Sequence, residues 1–140
     1  MAELTDEQIA AEKAFMEGVP RFNLAAFLLP PIWGPAHGMW AAILFYPAWL
    51  LVDNLLYAMY SQPSVMSVAV GLSALLLLAL VTVAFALISQ PFAWHRAHGM
   101  GKTKAQYLSA QRKWAVGCVF GALAMLVLAT AYNLLLRVPA

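Results

Sequence analysis

The sequence predicts an all-α integral membrane protein. It has three transmembrane helices, preceded by an amphipathic N-terminal helix and a Pro/Gly-broken interfacial or re-entrant segment. Three observations carry this reading. The 140 residues are 64% hydrophobic and only 10% charged, whereas soluble chains sit near half apolar and a quarter charged. Three apolar runs are each long enough for a bilayer crossing of about 20 residues. Asp53 is the single acidic residue inside any of them. The length fits one domain. Cys118 is the only cysteine, so no internal disulfide forms, and a net charge of +2 is too small to argue for nucleic acid. Glu3, Asp6, Glu7, Glu12 and Glu17 give the N-terminus the wrong sign for a secretory signal peptide.

Residues 1–20 form the amphipathic stretch. Thr5 to Gln8 matches a capping box, with Asp6 and Glu7 where the helix dipole favours anions, and Gly18 and Pro20 mark the stop. Leu4, Ile9, Phe15, Met16 and Val19 share one side of the wheel and the acids most of the other. Such a helix either docks a partner or lies across the protein's own cytoplasmic face, and the second is the expectation. Residues 22–37 are apolar but broken. Phe22 to Leu29 is too short to span, and Pro30 and Pro31 remove two donors and push Leu29 out of helical geometry. Trp33 and Trp40 flank the break, where headgroup-level tryptophans are expected.

The first span is 38–60, 23 residues or roughly 34 Å of helix, with a kink expected at Pro47. A charge at Asp53 costs at least about 2.5 kcal/mol by insertion scales, so Asp53 faces protein or water. Its two readings are a structural hydrogen bond or ion pair near the outer interface, which is preferred, and a proton or cation site. The second span is 65–89, after a tight turn at Ser61 to Ser64, and Ser67 and Gly71 give it a small-residue face. The third span is 114–136, with Gly117 and Gly121 in GxxxG spacing for helix packing. Asn133 and Arg137 fall at the same end as Asp53, and the three are expected to form a polar cluster.

Between spans two and three, residues 90–113 read as a basic loop with an interfacial helix from Lys104 to Trp114. Arg96, Lys102, Lys104, Arg112 and Lys113 give five positives and no acids. The positive-inside rule then makes this loop and the N-terminus cytoplasmic and the C-terminus external. The same five residues are candidate contacts for anionic lipid. The acidic N-terminal helix is expected to dock over them through charge, Glu7 or Glu17 against Lys104 or Arg112. His37, His95 and His98 all fall on this rim. With Trp33 they are candidate ligands for a small molecule, a lipid headgroup, haem or quinone, although imidazoles at an interface are more commonly hydrogen-bonded bystanders. No metal set, catalytic triad or phosphate loop is present, so neither an enzyme nor a resident cofactor is expected.

Phe22-Asn23-Leu24-Ala25-Ala26-Phe27 with Pro31-Ile32-Trp33-Gly34, together with Ala93-Trp94 and Gln111-Arg112-Lys113-Trp114, resembles small bacterial membrane proteins of the DUF2628-like kind. Those carry an FNxxAFxxxPxWG motif before apolar spans. The resemblance implies a bacterial inner-membrane protein and supplies no catalytic residues. The expected function is that of a small structural or accessory subunit, packing with itself or a larger membrane complex. The alternatives are a small-molecule site at the cytoplasmic rim and a proton or ion carrier using Asp53.

Overall fold

The computed structural model describes residues 3–138, so the first two residues of the amphipathic stretch lie outside it. Helices α1 (Asp6–Phe15), α2 (Leu24–Leu28) and α3 (Pro30–Ala36) precede a 3₁₀ turn at Trp40–Leu44 that leads into α4 (Phe45–Ser61). Helices α5 (Val65–Gly99) and α6 (Lys104–Ala131) follow, and a π turn at Tyr132–Leu136 closes the chain. The fold is all-helical, and three helices are long and apolar enough to cross a membrane: Trp40–Ser61, Val65–Gly99 and Lys104–Leu136.

The ends of these helices follow from their residues. Thr5, Ser64 and Thr103 each cap the helix they precede and close a capping box with the residue three on. Leu29 sits at φ −135° and ψ 64°, ending α2 and opening α3. Pro30 and Pro31 then occupy the first two positions of α3, where a missing N–H costs nothing. Pro47 falls in the first turn of α4 and the residues before it wind as 3₁₀, so the expected kink becomes a change of helix type.

The largest departure from the sequence reading lies at 90–113. This stretch is not a loop. Helix α5 runs through Pro91 to Gly99, and α6 is continuous from Lys104 into the third span, leaving only the Met100–Thr103 turn between them. Gln90, Ala93, Trp94 and Ala97 are buried on one face of α5, and that packing holds the helix past its proline. The Ala86 carbonyl on the same face also accepts from the Asn23 N–H (3.3 Å) and the Ser89 hydroxyl (3.2 Å), which ties the start of α2 to α5. At 35 residues α5 is about 52 Å long, some 20 Å more than the hydrocarbon it crosses. Helices α5 and α6 therefore project together beyond it, and this basic end carries Arg96, Lys102, Lys104, Arg112 and Lys113.

The buried core lies at the basic end. It gathers Val19, Ala25, Ala26, Leu29, Trp33, Ala93, Trp94, Ala97, Tyr107 and Cys118. Helices α2 and α3 are wedged against α5 and α6. Asn23 meets Gln90 and Gln111 at one level, while Leu29 reaches Gly121, ten residues or about 15 Å further along α6. The segment then returns, bringing Gly38 (φ +84°) against Arg96. Residues 22–37 thus form a pair of short helices packed against α5 and α6, the protein-backed setting that a re-entrant segment with broken backbone requires. Trp33 is fully buried within it, not facing lipid headgroups as its flanking position suggested, whereas Trp40 is exposed.

Helix α1 docks by its C-terminal end alone. Phe15 stacks on Trp94 and His95, with ring centroids 5.2 and 4.2 Å away, and meets His98 edge-on at 5.1 Å. The Phe15 carbonyl accepts from Trp94 Nε1 at 3.0 Å. Leu4 and Ile9, on the apolar side of the wheel, remain exposed. The expected charge pairing does not form: Lys104 Nζ donates to the Glu17 carbonyl instead of its carboxylate, and the Glu12 carboxylate lies 2.9 Å from His95 Nε2. Aromatic stacking replaces it because burying rings gains more than pairing exposed charges.

Candidate functional site

A connected network of side-chain amides organises the basic end, and its direction is fixed by the backbone. Asn23 caps α2, its Oδ1 accepting from the Ala26 N–H at 2.9 Å. Its Nδ2 must therefore point away as a donor, and it donates to Gln90 Oε1 (2.9 Å) and Gln111 Oε1 (3.0 Å). Each of those oxygens takes one more donor, the Tyr107 hydroxyl at 2.6 Å on Gln90 and Trp33 Nε1 at 3.0 Å on Gln111. Both lone pairs of each oxygen are then filled. Gln111 Nε2 donates to His37 Nε2 at 3.0 Å, which leaves His37 Nδ1 to carry the proton it donates to the Trp33 carbonyl at 2.7 Å. One capping asparagine thus sets the orientation of two glutamines and the tautomer of a histidine. Among the described residues no buried side-chain nitrogen or oxygen lacks both a partner and solvent.

His37 is held neutral. Burial pushes its pKa below the ordinary 6.5, and Arg96 and Lys102 push the same way against the Trp33 carbonyl, which favours the charged ring. Protonation would also turn Nε2 into a donor facing the Gln111 amide donor. Because the folded pKa lies below the unfolded one, the unfolded chain binds the extra proton first. The contribution of His37 is therefore complete above about 6.5 and is lost as pH falls through the folded value. The thermal midpoint in detergent is expected to drop between pH 7.5 and pH 5, and His37→Phe, which keeps a ring against Trp33, should flatten that slope. An unchanged slope in His37→Phe would contradict the assignment.

The three histidines do not converge. His37 stacks on Trp33 at 4.0 Å and meets Trp114, with both nitrogens hydrogen-bonded. His95 is turned to Glu12, and His98 lies edge-on to Phe15 and Trp94. No group of three metal-ligating side chains occurs among the described residues. The four candidate rim ligands separate into two pairs: Trp33 and His37, stacked on each other and committed to the amide network, and His95 and His98, both against the Phe15 ring.

Two hollows flank the wedge. One, of about 300 Å³, is lined on its polar side by Asn23, Gln90, Gln111 and Arg112. The other, of about 320 Å³, is apolar and shallow, and is bounded by Leu29, Ile32, Lys113, Trp114, Gly117 and Cys118. The glycines divide accordingly. A Cβ at Gly71 would stand 3.4 Å from the Leu55 carbonyl, so this glycine packs α5 on α4. One at Gly121 would meet Leu29 at 2.9 Å, a contact with the wedge and not with another span. One at Gly117 would meet nothing within 4 Å.

At the far end the structure brings Asp53, Asn133 and Arg137 together. Asn133 Nδ2 donates to Asp53 Oδ1 at 2.7 Å, and Arg137 reaches Asn133 Oδ1 at 2.9 Å and Asp53 Oδ2 at 3.6 Å. The same guanidinium bonds Asn54 and lies 3.9 Å from the Tyr57 ring centroid. The π turn places Asn133 and Arg137 here, tying the end of α6 to α4. The Asp53 side chain is 37% exposed, so the ion pair itself is worth under about 1 kcal/mol. Asp53→Asn, which keeps an acceptor for Asn133, should shift the thermal midpoint less than Arg137→Ala, which also loses the contact with Tyr57. The reverse order would contradict a cluster centred on Arg137.

Gln90 and Tyr107 escaped the sequence reading as site residues, and Asn23 and Gln111 entered it only within the motifs of the resemblance. The signal for Gln90 was present, since Gln90, Ala93, Trp94 and Ala97 follow i, i+3, i+4, i+7 spacing, the mark of a helix face. Comparison with protein families, with curated proteins and with solved structures finds no match to this chain.

Proposed function

We propose that the chain is a non-enzymatic structural or accessory subunit that packs through its spans against a second copy or a larger membrane complex. The observation that carries this is the open face of α6. Around Gly117 the helix offers backbone with nothing against it, beside an apolar hollow, and small-residue notches of this kind admit a neighbouring helix. Within the chain α6 is fastened at its ends, by the wedge and by Arg137, while Phe120, Leu123, Leu126, Val127 and Leu128 between them stay exposed. The amide network supports a scaffold over a catalyst, because all its oxygens and the His37 ring are taken up by bonds within it.

We place the protein in a bacterial inner membrane with its basic end in the cytoplasm. Five cations at that end and the resemblance of the 22–34 motif support this orientation and location. Native mass spectrometry after gentle extraction tests the assembly. A homo-oligomer or a complex with a larger subunit is expected, weakened by Gly117→Leu with little change in thermal midpoint. A bare monomer, with no crosslinked species in the native membrane, would overturn the reading.

A further inference from the structure

We propose that the hollow beside Gln90 is a binding site for a phosphate-bearing group, at the depth of the lipid headgroups. The argument begins with the direction of the amide network. Because Asn23 Nδ2 and the Tyr107 hydroxyl both donate to Gln90 Oε1, the Gln90 amide nitrogen faces the other way, and it has no partner within the described chain. Gln90 is only 2% exposed, yet no buried polar atom is left without a partner. That nitrogen therefore reaches open space, and the open space that Gln90 lines is this hollow. It is a pre-oriented donor on a nearly buried side chain.

The second feature is charge. Arg112 lines the same hollow and pairs with no carboxylate among the described residues. The oxygens of Asn23 and Gln111 that line it are occupied by the network. What the side chains offer a ligand is thus a guanidinium and an amide N–H, which call for an anionic acceptor. A guanidinium matches phosphate oxygens two at a time.

The third is position and lining. About 30 Å of hydrocarbon measured along α5 from Val65 ends some 20 residues on, near Phe85. Gln90 lies a further 7 Å or so beyond, in the headgroup layer. Phe22, Leu24, Leu108 and Ala115 complete the hollow, with Phe22 and Leu24 exposed, so an attached apolar chain can leave along them. A volume of about 300 Å³ is at the small end of ligand sites and suits a headgroup.

The test is titration of the purified full chain with dioleoylphosphatidylglycerol and with inorganic phosphate, read by native mass spectrometry. One bound molecule per chain is expected. Arg112 makes no side-chain bond among the described residues, so Arg112→Met should leave folding intact. Loss of a charge-assisted pair should weaken binding about tenfold or more. Ala115→Phe, which fills the hollow without changing charge, should do the same. Lys113→Met, the neighbouring cation outside the hollow, should change it less than about twofold, because a surface charge contributes only weakly. Binding of inorganic phosphate alone marks a site for free phosphate, whereas binding of the lipid only marks a headgroup site with its chain. Binding of neither overturns the proposal. So does equal loss in Arg112→Met and Lys113→Met, which is the behaviour of a general basic surface, or full binding in Ala115→Phe.

Discussion

Gly34→Ala is expected to be the most damaging single-methyl change in the chain. A Cβ at this position would stand 2.3 Å from the Ala42 Cβ and 3.0 Å from the Met39 carbonyl oxygen. Neither atom is the end of a flexible side chain, so relief requires moving the 3₁₀ turn away from α3. The Gly34 carbonyl accepts from the Met39 N–H at 2.8 Å and from the His37 N–H at 3.0 Å, and those bonds form the turn that sends the chain from the wedge into the first span. Overpacking in a tight core costs about 1–3 kcal/mol and occasionally more. Here the upper end is expected, seen as a large fall in thermal midpoint or in yield of monodisperse protein. Ala42→Gly in the same chain removes the closest clash and should restore more than half of the loss. A Gly34→Ala protein within about 0.5 kcal/mol of the parent, the range of ordinary surface changes, would show that the wedge and first span do not meet this closely.

Gln111→Leu should rank next. It preserves much of the volume but orphans the Trp33 indole N–H, fully buried, and His37 Nε2. Each buried group left without a partner costs about 1–3 kcal/mol, so a loss of about 3 kcal/mol is expected. Asn23 retains Gln90 as an acceptor, which limits the damage on that side. Trp33→Phe removes the donor itself, and combining it with Gln111→Leu should cost less than the two losses added, because the orphan is then gone. Strict additivity in that double-mutant cycle would mean the indole and the amide are not coupled.

These two sites show where the sequence was readable and where it was not. Local chemistry was legible: the Thr5 capping box, the break at Leu29 before two prolines, and three apolar spans each depend on residues close in sequence. Asp53, Asn133 and Arg137 could be associated because span lengths alone put them at one depth. The amide network could not be read this way. Asn23, Gln90 and Gln111 are far apart in the chain, and a glutamine before a proline looks like the start of a loop until a partner buries it. The same gap explains Trp33. An aromatic beside a membrane break is ordinarily a headgroup marker, and only the apposition of α6, which supplies Gln111, makes it a core residue. The continuation of α5 was masked by Pro91 and the basic composition beyond it, although Gln90, Ala93, Trp94 and Ala97 had helical spacing.

The central claim is that residues 22–37 re-enter between the two long helices and seat Leu29 against Gly121. Paired cysteine substitution tests it most directly, in native membranes and with Cys118 replaced by alanine. Leu29→Cys combined with Gly121→Cys should crosslink rapidly under mild oxidation, since the Leu29 side chain reaches within 2.9 Å of where the Gly121 Cβ would stand. Leu29→Cys combined with Val65→Cys, at the opposite end of α5, should not. Failure of the first pair, with a label from the aqueous phase reaching Leu29→Cys freely, would place the segment on the surface and contradict the account.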